Sequence, residues 1–321
     1  MKIFVSIVSY RDPLLSLTVH SLLDNASTHH DIIIGIFEQT IHEDSLLIKD
    51  PELLKSKNIR YKRINPEYSD GPSWARYINS LQIVDEDFFY QVYSHMLFEK
   101  DWDCYLIADY NVGKEKHNTD KIIITASCKN FNLDENNQPI LYNKDALLTC
   151  KVKYFIYQAY DLPAAHGDTI LATDDIEPAI HIYAGNFFTH ISWLKNVGID
   201  PKLYFEPEEL KMVLGSFAAG YHLYHPRSIH CYHYINTAKY FTKQWFKPVI
   251  TKEQYGLLVW NSLVHWQEYL NNLDRSILEA YYDYSGLDYI NKTIDERALT
   301  RSIQVAPATD DIKPAEDPWK S

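Results

Sequence analysis

The chain contains no run of about 18 consecutive apolar residues, the minimum for a helix that crosses a bilayer, so no membrane span is expected. Its opening residues, MKIFVSIVSY, are too short an apolar stretch for a secretory signal and are followed at once by charge. A cytoplasmic location is therefore expected, in the host cytoplasm if the source is viral. There is no CxxC pair and no tight cysteine framework. Cys104, Cys128, Cys150 and Cys231 are scattered, which argues against a disulfide-stapled scaffold and leaves reduced thiols as the default. Basic residues are outnumbered, 31 Lys and Arg against 43 Asp and Glu, for a net charge of −12. That balance disfavours coating nucleic acid by bulk attraction, although a local basic groove is compatible with it. No internal repeat is present.

A length of 321 residues, 46% hydrophobic and 23% charged, is ordinary for a soluble globular protein with one large domain, or one domain plus an appendage. Aromatic residues reach 14%, with 25 Tyr. Tyr suits sugar or base stacking as well as core packing.

Short apolar runs read as buried strands at Lys2–Ser9, Asp31–Glu38, Ile59–Ile64, Phe88–Tyr93 and Lys121–Ser127. Helices are expected at Leu14–Leu23, at Trp74–Leu81 after Gly71-Pro72-Ser73, and at Trp102–Tyr110. The alternation argues for an open α/β sheet with helices on its faces. Beyond it, Val152–Tyr157 is strand-like, 163–178 reads as a loop, and an extended stretch is expected at His181–Phe187. Helices follow near Ser192–Val197 and Glu208–Gly220, then an extended stretch at His222–Tyr234. The 3.6-residue spacing across 251–297 indicates a helical appendage. The expected organisation is a main domain over 1–250, a helical C-terminal extension over 251–300 and a flexible tail over 301–321.

The most informative stretch is residues 71–98, GPSWARYINSLQIVDEDFFYQVYSHMLF, which joins an Arg-bearing helix to a strand ending in Ser94-His95. Arg76 lies one turn into that helix, where its planar guanidinium can grip a diphosphate through two parallel bonds; a surface salt bridge is the plainer alternative. His95, at a strand end, is a reasonable imidazole ligand for a divalent metal, and Ser94 shares its rim. Ser9-Tyr10-Arg11-Asp12 follows the first strand, and ligands of open α/β sheets bind beyond the carboxyl ends of strands. Arg11 can reach a phosphate or base carbonyl there, and Asp12 can accept from a base; a capped turn is the competing reading. Asp101-Trp102-Asp103 spells DxD, an acidic pair suited to a hard cation, but its place just before a helix assigns it to capping. Glu208 and Glu209 either complement a helix dipole or face an acceptor hydroxyl. Of His230 and His233, strand alternation lets at most one face a metal unless a bulge intervenes.

These segments in order, IFVSIVSYRDPLLSLTVHSLL (3–23), GPSWARY (71–77), SHMLF with WD (94–98, 102–103), DPKLYF to Glu209 (200–209), GYHLYHP (220–226) and CYHY (231–234), resemble a GlcNAc-transferase family. The resemblance covers roughly residues 1–247. It implies a GT-A fold, a UDP-sugar donor, a divalent metal such as manganese or magnesium, and retention of anomeric configuration. Carried over residue by residue, it assigns Ser9, Arg11, Asp12, Arg76 and Ser94 to the donor, His95 and His233 to the metal, and the paired acids Glu208 and Glu209 to the acceptor side. Two departures stand out. Tyr93 replaces the Asp of an Asp-Ser-His metal motif, which weakens or alters metal binding because an anionic oxygen ligand is lost. Glu206-Pro207 replaces Trp-Gly, which implies an acceptor other than the hydroxyproline of the type member.

Three readings follow from the sequence. The first is a glycosyltransferase acting on a protein, a glycan or a hydroxymethylated viral DNA base, with Lys239–Lys247 (KYFTKQWFK) as the stretch suited to DNA contact or to a lid. The second is a non-catalytic nucleotide-sugar or glycan-binding protein with a degenerate metal motif. The third is an interaction subunit working through 251–297.

Overall fold

The computed structural model describes residues 1–144, 148–157, 162–172, 174–205, 207–236, 250–296 and 298. The Lys239–Lys247 stretch and the tail after Thr300 lie outside the described residues. The amino-terminal half runs β1 (Lys2–Tyr10), α1 (Leu15–Asn25), β2 (Asp31–Gln39), α2 (Leu46–Lys49), β3 (Ile59–Ile64), α3 (Pro72–Ser80), β4 (Phe88–Val92), β5 (Met96–Phe98) and α4 (Trp102–His117). Next come β6 (Ile122–Thr125), β7 (Lys129–Leu133), β8 (Pro139–Leu141), β9 (Leu148–Tyr157), β10 (Pro163–Leu171), β11 (Glu177–Pro178), β12 (Asn186–His190) and α5 (Trp193–Asn196). The chain closes with α6 (Pro207–Ala218), β13 (His222–His225), β14 (Cys231–Tyr234), α7 (Lys252–Asn272), α8 (Arg275–Ser285) and a ribbon of β15 (Leu287–Asp288) and β16 (Thr293–Ile294).

Eight strands form one mixed sheet in the order β11-β13-β6-β12-β4-β1-β2-β3. Strands β4, β1, β2 and β3 run parallel, whereas β12 lies antiparallel between β4 and β6. Near-continuous Ile, Val and Phe runs are what strands covered on both faces require. Alternation then sorts them: Ile3, Val5 and Ile7 enter a core shared with Leu15, Val19, Trp102 and Tyr110 of α1 and α4. Phe4 enters a second core on the other face, with Trp193, Phe217, Trp266 and Tyr281 of α5 to α8. The C-terminal helices thus bury apolar side chains against the same core as α6. Thr251 opens α7 with a capping box to Gln254. Two of the buried indoles find acceptors, Trp102 on Leu22 O at 3.0 Å and Trp193 on Ser216 Oγ at 2.8 Å. Among the described residues no helix is long and apolar enough to cross a membrane.

Three local expectations are corrected. Residues 163–171 are not a loop: they pair antiparallel with β9 as β10, and Glu177–Pro178 pairs with β13. Small and polar side chains hid a strand whose partner supplies its ladder. The strand expected at His181–Phe187 starts only at Asn186, after a turn closed by Asn186 N–H on Tyr183 O at 3.0 Å. Asp101 does occupy the N-cap position of α4, but in a left-handed conformation with φ 59° and no side-chain cap bond.

A four-stranded sheet, β5-β14-β7-β8, sits beside the large one. It matters for function because β14 pairs antiparallel with β5, the strand that begins directly after His95.

Candidate functional site

Strands β1 and β4 are parallel neighbours, with Ile7 opposite Val92, so the turns leaving their carboxyl ends emerge side by side. One turn is Arg11-Asp12 and the other Tyr93-Ser94-His95. Asp12 is buried, and its Oδ1 accepts the Leu14 N–H at 2.8 Å as α1 begins. Its Oδ2 accepts from Ser94 Oγ at 2.5 Å and lies 2.7 Å from His95 Nδ1. A carboxylate oxygen accepts, so His95 Nδ1 is the donor. Thr18 of α1 staples the second turn, donating to Ser94 O and accepting from Met96 N–H, both at 2.9 Å.

Antiparallel pairing of β14 with β5 sets His233 opposite Met96, and Tyr234 N–H donates to His95 O at 3.1 Å. The two imidazoles meet through Nε2 atoms 3.0 Å apart. Tyr93 completes the cluster with its ring, which stacks parallel to His95 at 5.6 Å between centroids and meets His233 edge-on at 5.2 Å. Gly185 makes this possible, because a Cβ there would lie 1.8 Å from the Tyr93 ring. Burial first, then the negative charge of Glu209, pushes the Tyr93 hydroxyl well above the ordinary phenol range.

A second cluster lies beyond Tyr93. Helix α3 docks on the sheet through Asn79, whose Nδ2 donates to Ser6 Oγ at 2.8 Å and Gly35 O at 2.9 Å. Arg76 stands one turn earlier on the same buried face, only 5% exposed, and its guanidinium pairs with Glu208 at the start of α6. Burial lowers the affinity of the guanidinium for its proton, but the Glu208 charge and hydrogen bond outweigh this and raise its pKa further. Burial also wins at Glu208, whose carboxyl is raised despite Arg76. Burial would likewise raise Glu209, but His181 at 3.1 Å and the Ala184 N–H at 2.8 Å overcome it, so Glu209 is lowered. Gly71 opens α3 at φ +105°, where a Cβ would also strike the Tyr204 ring at 2.4 Å.

The sequence-derived residues therefore fall into two groups. Asp12, Ser94, His95 and His233 share one contact network, and Arg76 and Glu208 share another, with Tyr93 in electrostatic reach of the second while its ring packs on the first. Arg76 faces Glu208 rather than standing open at the rim. Ser9 is fully buried at the end of β1, with its carbonyl accepting from Gln39 Nε2 at 3.3 Å. Arg11 turns the chain at φ 50°, its N–H on Gln39 O at 3.0 Å. His230 lies elsewhere, bonded to Glu99 at 3.0 Å and stacked on Tyr105, while His225 Nδ1 meets Thr125 O at 2.8 Å. Asp103 of the DxD tripeptide is also remote from the cluster. It holds the α1–β2 connection through Ser27 and His30. His30, Asp103 and Cys104 are the one group of three metal-type ligands closely spaced among the described residues. His181 and Gly185 carried no signal in the sequence, since their importance comes from contacts with residues 25 or more positions away.

The family described as Glycosyltransferase (GlcNAc) matches this sequence over residues 2–53 and 47–273. No curated protein matches it. Among solved structures, GalNAc-T7 with UDP, GalNAc and Mn2+ superposes with a TM-score of 0.59 at 13% identity, covering 93% of this chain and 54% of its own. The chain thus spans about half the length of that relative. Residues 1–349 of S. aureus TarS with UDP-GlcNAc match at 12% identity over 93% of this chain and 83% of their own, with a TM-score of 0.44.

Proposed function

The chain belongs to the Glycosyltransferase (GlcNAc) family and has a GT-A fold, and from that premise we propose that it transfers a sugar from a UDP-sugar donor to a hydroxyl acceptor. The observation that carries this reading is the convergence of Asp12, Ser94, His95 and His233 at the carboxyl ends of two adjacent parallel strands. That edge is where open α/β sheets bind nucleotides. GalNAc-T7 is a structural neighbour crystallised with UDP, a sugar and Mn2+.

A divalent metal fits the imidazole pair, since the two Nε2 atoms lie 3.0 Å apart and a His95 that donates to Asp12 through Nδ1 can ligate through Nε2. When bound, it would supply positive charge to the leaving diphosphate. The chain's own residues do the rest. Arg11 and the Ser9–Asp12 turn border the donor, and Ser94 keeps Asp12 oriented. Arg76 holds Glu208, and His181 holds Glu209, so that the two acids form a fixed wall on the acceptor side. In our reading the acceptor oxygen attacks the anomeric carbon from the face that the diphosphate leaves. The C–O bond to UDP breaks as the new one forms, a diphosphate oxygen takes the hydroxyl proton, and configuration is retained. Fixed charges at a dry site act without reorganising during the step. The acceptor is a protein, a glycan or a hydroxymethylated DNA base, and the work is cytoplasmic.

Tyr93, an aromatic ring where the family motif has an acid, favours a second reading, a nucleotide-sugar-binding protein without turnover. One experiment separates the two: incubate the full chain with UDP-sugars and a divalent metal, and measure UDP release against donor-induced thermal shift. Shift with slow UDP release supports the transferase, and shift without release supports the binder. No shift with any UDP-sugar removes both.

A further inference from the structure

The position that a metal-binding acid would hold is filled here by the ring of Tyr93, lying flat on His95 and edge-on to His233. The ring is wedged against Gly185, which has no side chain to displace it. Asp12, the carboxylate in contact with this cluster, meets His95 on the Nδ1 side of its ring: one oxygen takes the Leu14 N–H and the other takes Ser94 Oγ and His95 Nδ1. The two imidazoles bring their Nε2 atoms to within 3.0 Å of each other. Two nitrogens each bonded at about 2.1 Å to one ion lie roughly 3.0 Å apart at adjacent octahedral positions and roughly 3.4 Å apart at tetrahedral ones. A plain imidazole–imidazole hydrogen bond has the same length, so the distance permits a shared ion without requiring one.

Donor chemistry then sets which ion belongs. Imidazole suits zinc, cobalt, nickel and copper, whereas magnesium and calcium demand oxygen, and manganese is best served when carboxylates contribute. We propose that His95 and His233 form a two-imidazole chelate selective for zinc- and cobalt-class ions, and that Tyr93 sets this selectivity by excluding a carboxylate from the ion. The inference deepens the metal reading given above and rests on it. The ring, not the hydroxyl, is the effective part, so a phenylalanine at 93 should behave like the tyrosine.

The test titrates the chelator-stripped full chain with Co2+, followed by its visible absorption, with Zn2+ by competition, and with Mn2+ by the electron paramagnetic resonance of the free ion. Cys104→Ala is carried in every protein, so that the His30–Asp103–Cys104 group does not contribute. Zn2+ and Co2+ are expected to bind at least roughly 100-fold more tightly than Mn2+. His233→Ala should weaken Co2+ at least tenfold (roughly, for loss of one of two ligands), and Tyr93→Phe should change neither ion. Tyr93→Asp should narrow the Co2+ to Mn2+ gap by roughly tenfold or more. Should Tyr93→Asp fail to fold by circular dichroism, the His233→Ala and Tyr93→Phe arms and the parent's ion ratio still decide. Mn2+ binding as tight as Zn2+, Co2+ binding untouched by His233→Ala, or a folded Tyr93→Asp with no gain in Mn2+ affinity each overturns the proposal. UDP affinity measured alongside separates the two levels. UDP that still binds while the ion ratios fail leaves the donor reading standing, and loss of UDP binding as well removes that reading too.

Discussion

A single ring, that of Tyr93, joins the two clusters, and its neighbours are tuned to it. Alanine at 185 would put a Cβ 1.8 Å from the ring, so Gly185→Ala is expected to cost about 1–3 kcal/mol as overpacking and to push Tyr93 off His95. A lowered melting temperature together with altered Co2+ binding checks this; an unchanged melting curve counts against the close packing. The Arg76–Glu208 pair offers a stronger test, because both side chains are under a tenth exposed. Glu208→Gln strands the guanidinium in the interior, and a loss of about 3–5 kcal/mol in urea denaturation is expected for breaking a buried pair from one side. Replacing both, Arg76→Met with Glu208→Leu, should cost less than the sum of the single changes. Strict additivity would mean the two charges do not interact. At this scale the sequence exposed the identities but not the pairings. Tyr93 stood out as a motif departure and Arg76 as a helix-borne guanidinium, yet nothing local says that Arg76 meets an acid 132 residues away.

At the level of elements, the short strand β14 positions His233 and is anchored by a polar network around Glu99. Lys129, almost wholly buried, lies 2.8 Å from Glu99, with Tyr232 Oη at 2.5 Å and His230 Nδ1 at 3.0 Å. Burial would raise the Glu99 carboxyl, but the hydrogen bonds from His230, Lys129 and Tyr232 outweigh it and bring it down to about 2. A depressed carboxylate contributes stability that is fully present above its unfolded value near 4.5 and disappears as pH falls toward about 2. After allowance for a side chain one-quarter exposed, the contribution is on the order of 2 kcal/mol. Glu99→Gln should therefore flatten the acid limb of the stability curve between about pH 4.5 and 2, measured by urea midpoints at stepped pH. A parallel offset at every pH contradicts the linkage. The parallel strands β1, β2 and β4 were legible because doubly covered strands must be continuous apolar runs. Strand β10 was not, since 163–171 contains Gly, Asp, Thr and Ala, and becomes a strand through pairing with β9. The DxD tripeptide was expected to cap α4, but Asp101 makes no side-chain cap bond, and the fastening of Ser27 and His30 by Asp103 was not legible.

For the whole molecule, two cores clamp the mixed sheet from either face and leave the ends of β1 and β4 as the place where distant segments meet. The fold class followed from strand–helix alternation, and motif order carried the family, because both are properties of sequence order alone. The geometry of the site was only partly readable. Asp12, His95 and His233 are 83 and 138 residues apart in their contacts, and only the parallel β1–β4 register and the antiparallel β5–β14 pairing bring them together. The account's central claim is that this meeting point binds the diphosphate of a UDP-sugar. Calorimetric titration of UDP into the cobalt-loaded chain and into His95→Ala, with folding verified by circular dichroism, tests it most directly. A metal-dependent UDP affinity that falls at least roughly tenfold in His95→Ala is expected. Equal affinity in the two proteins, or no UDP binding to the loaded parent, would contradict it.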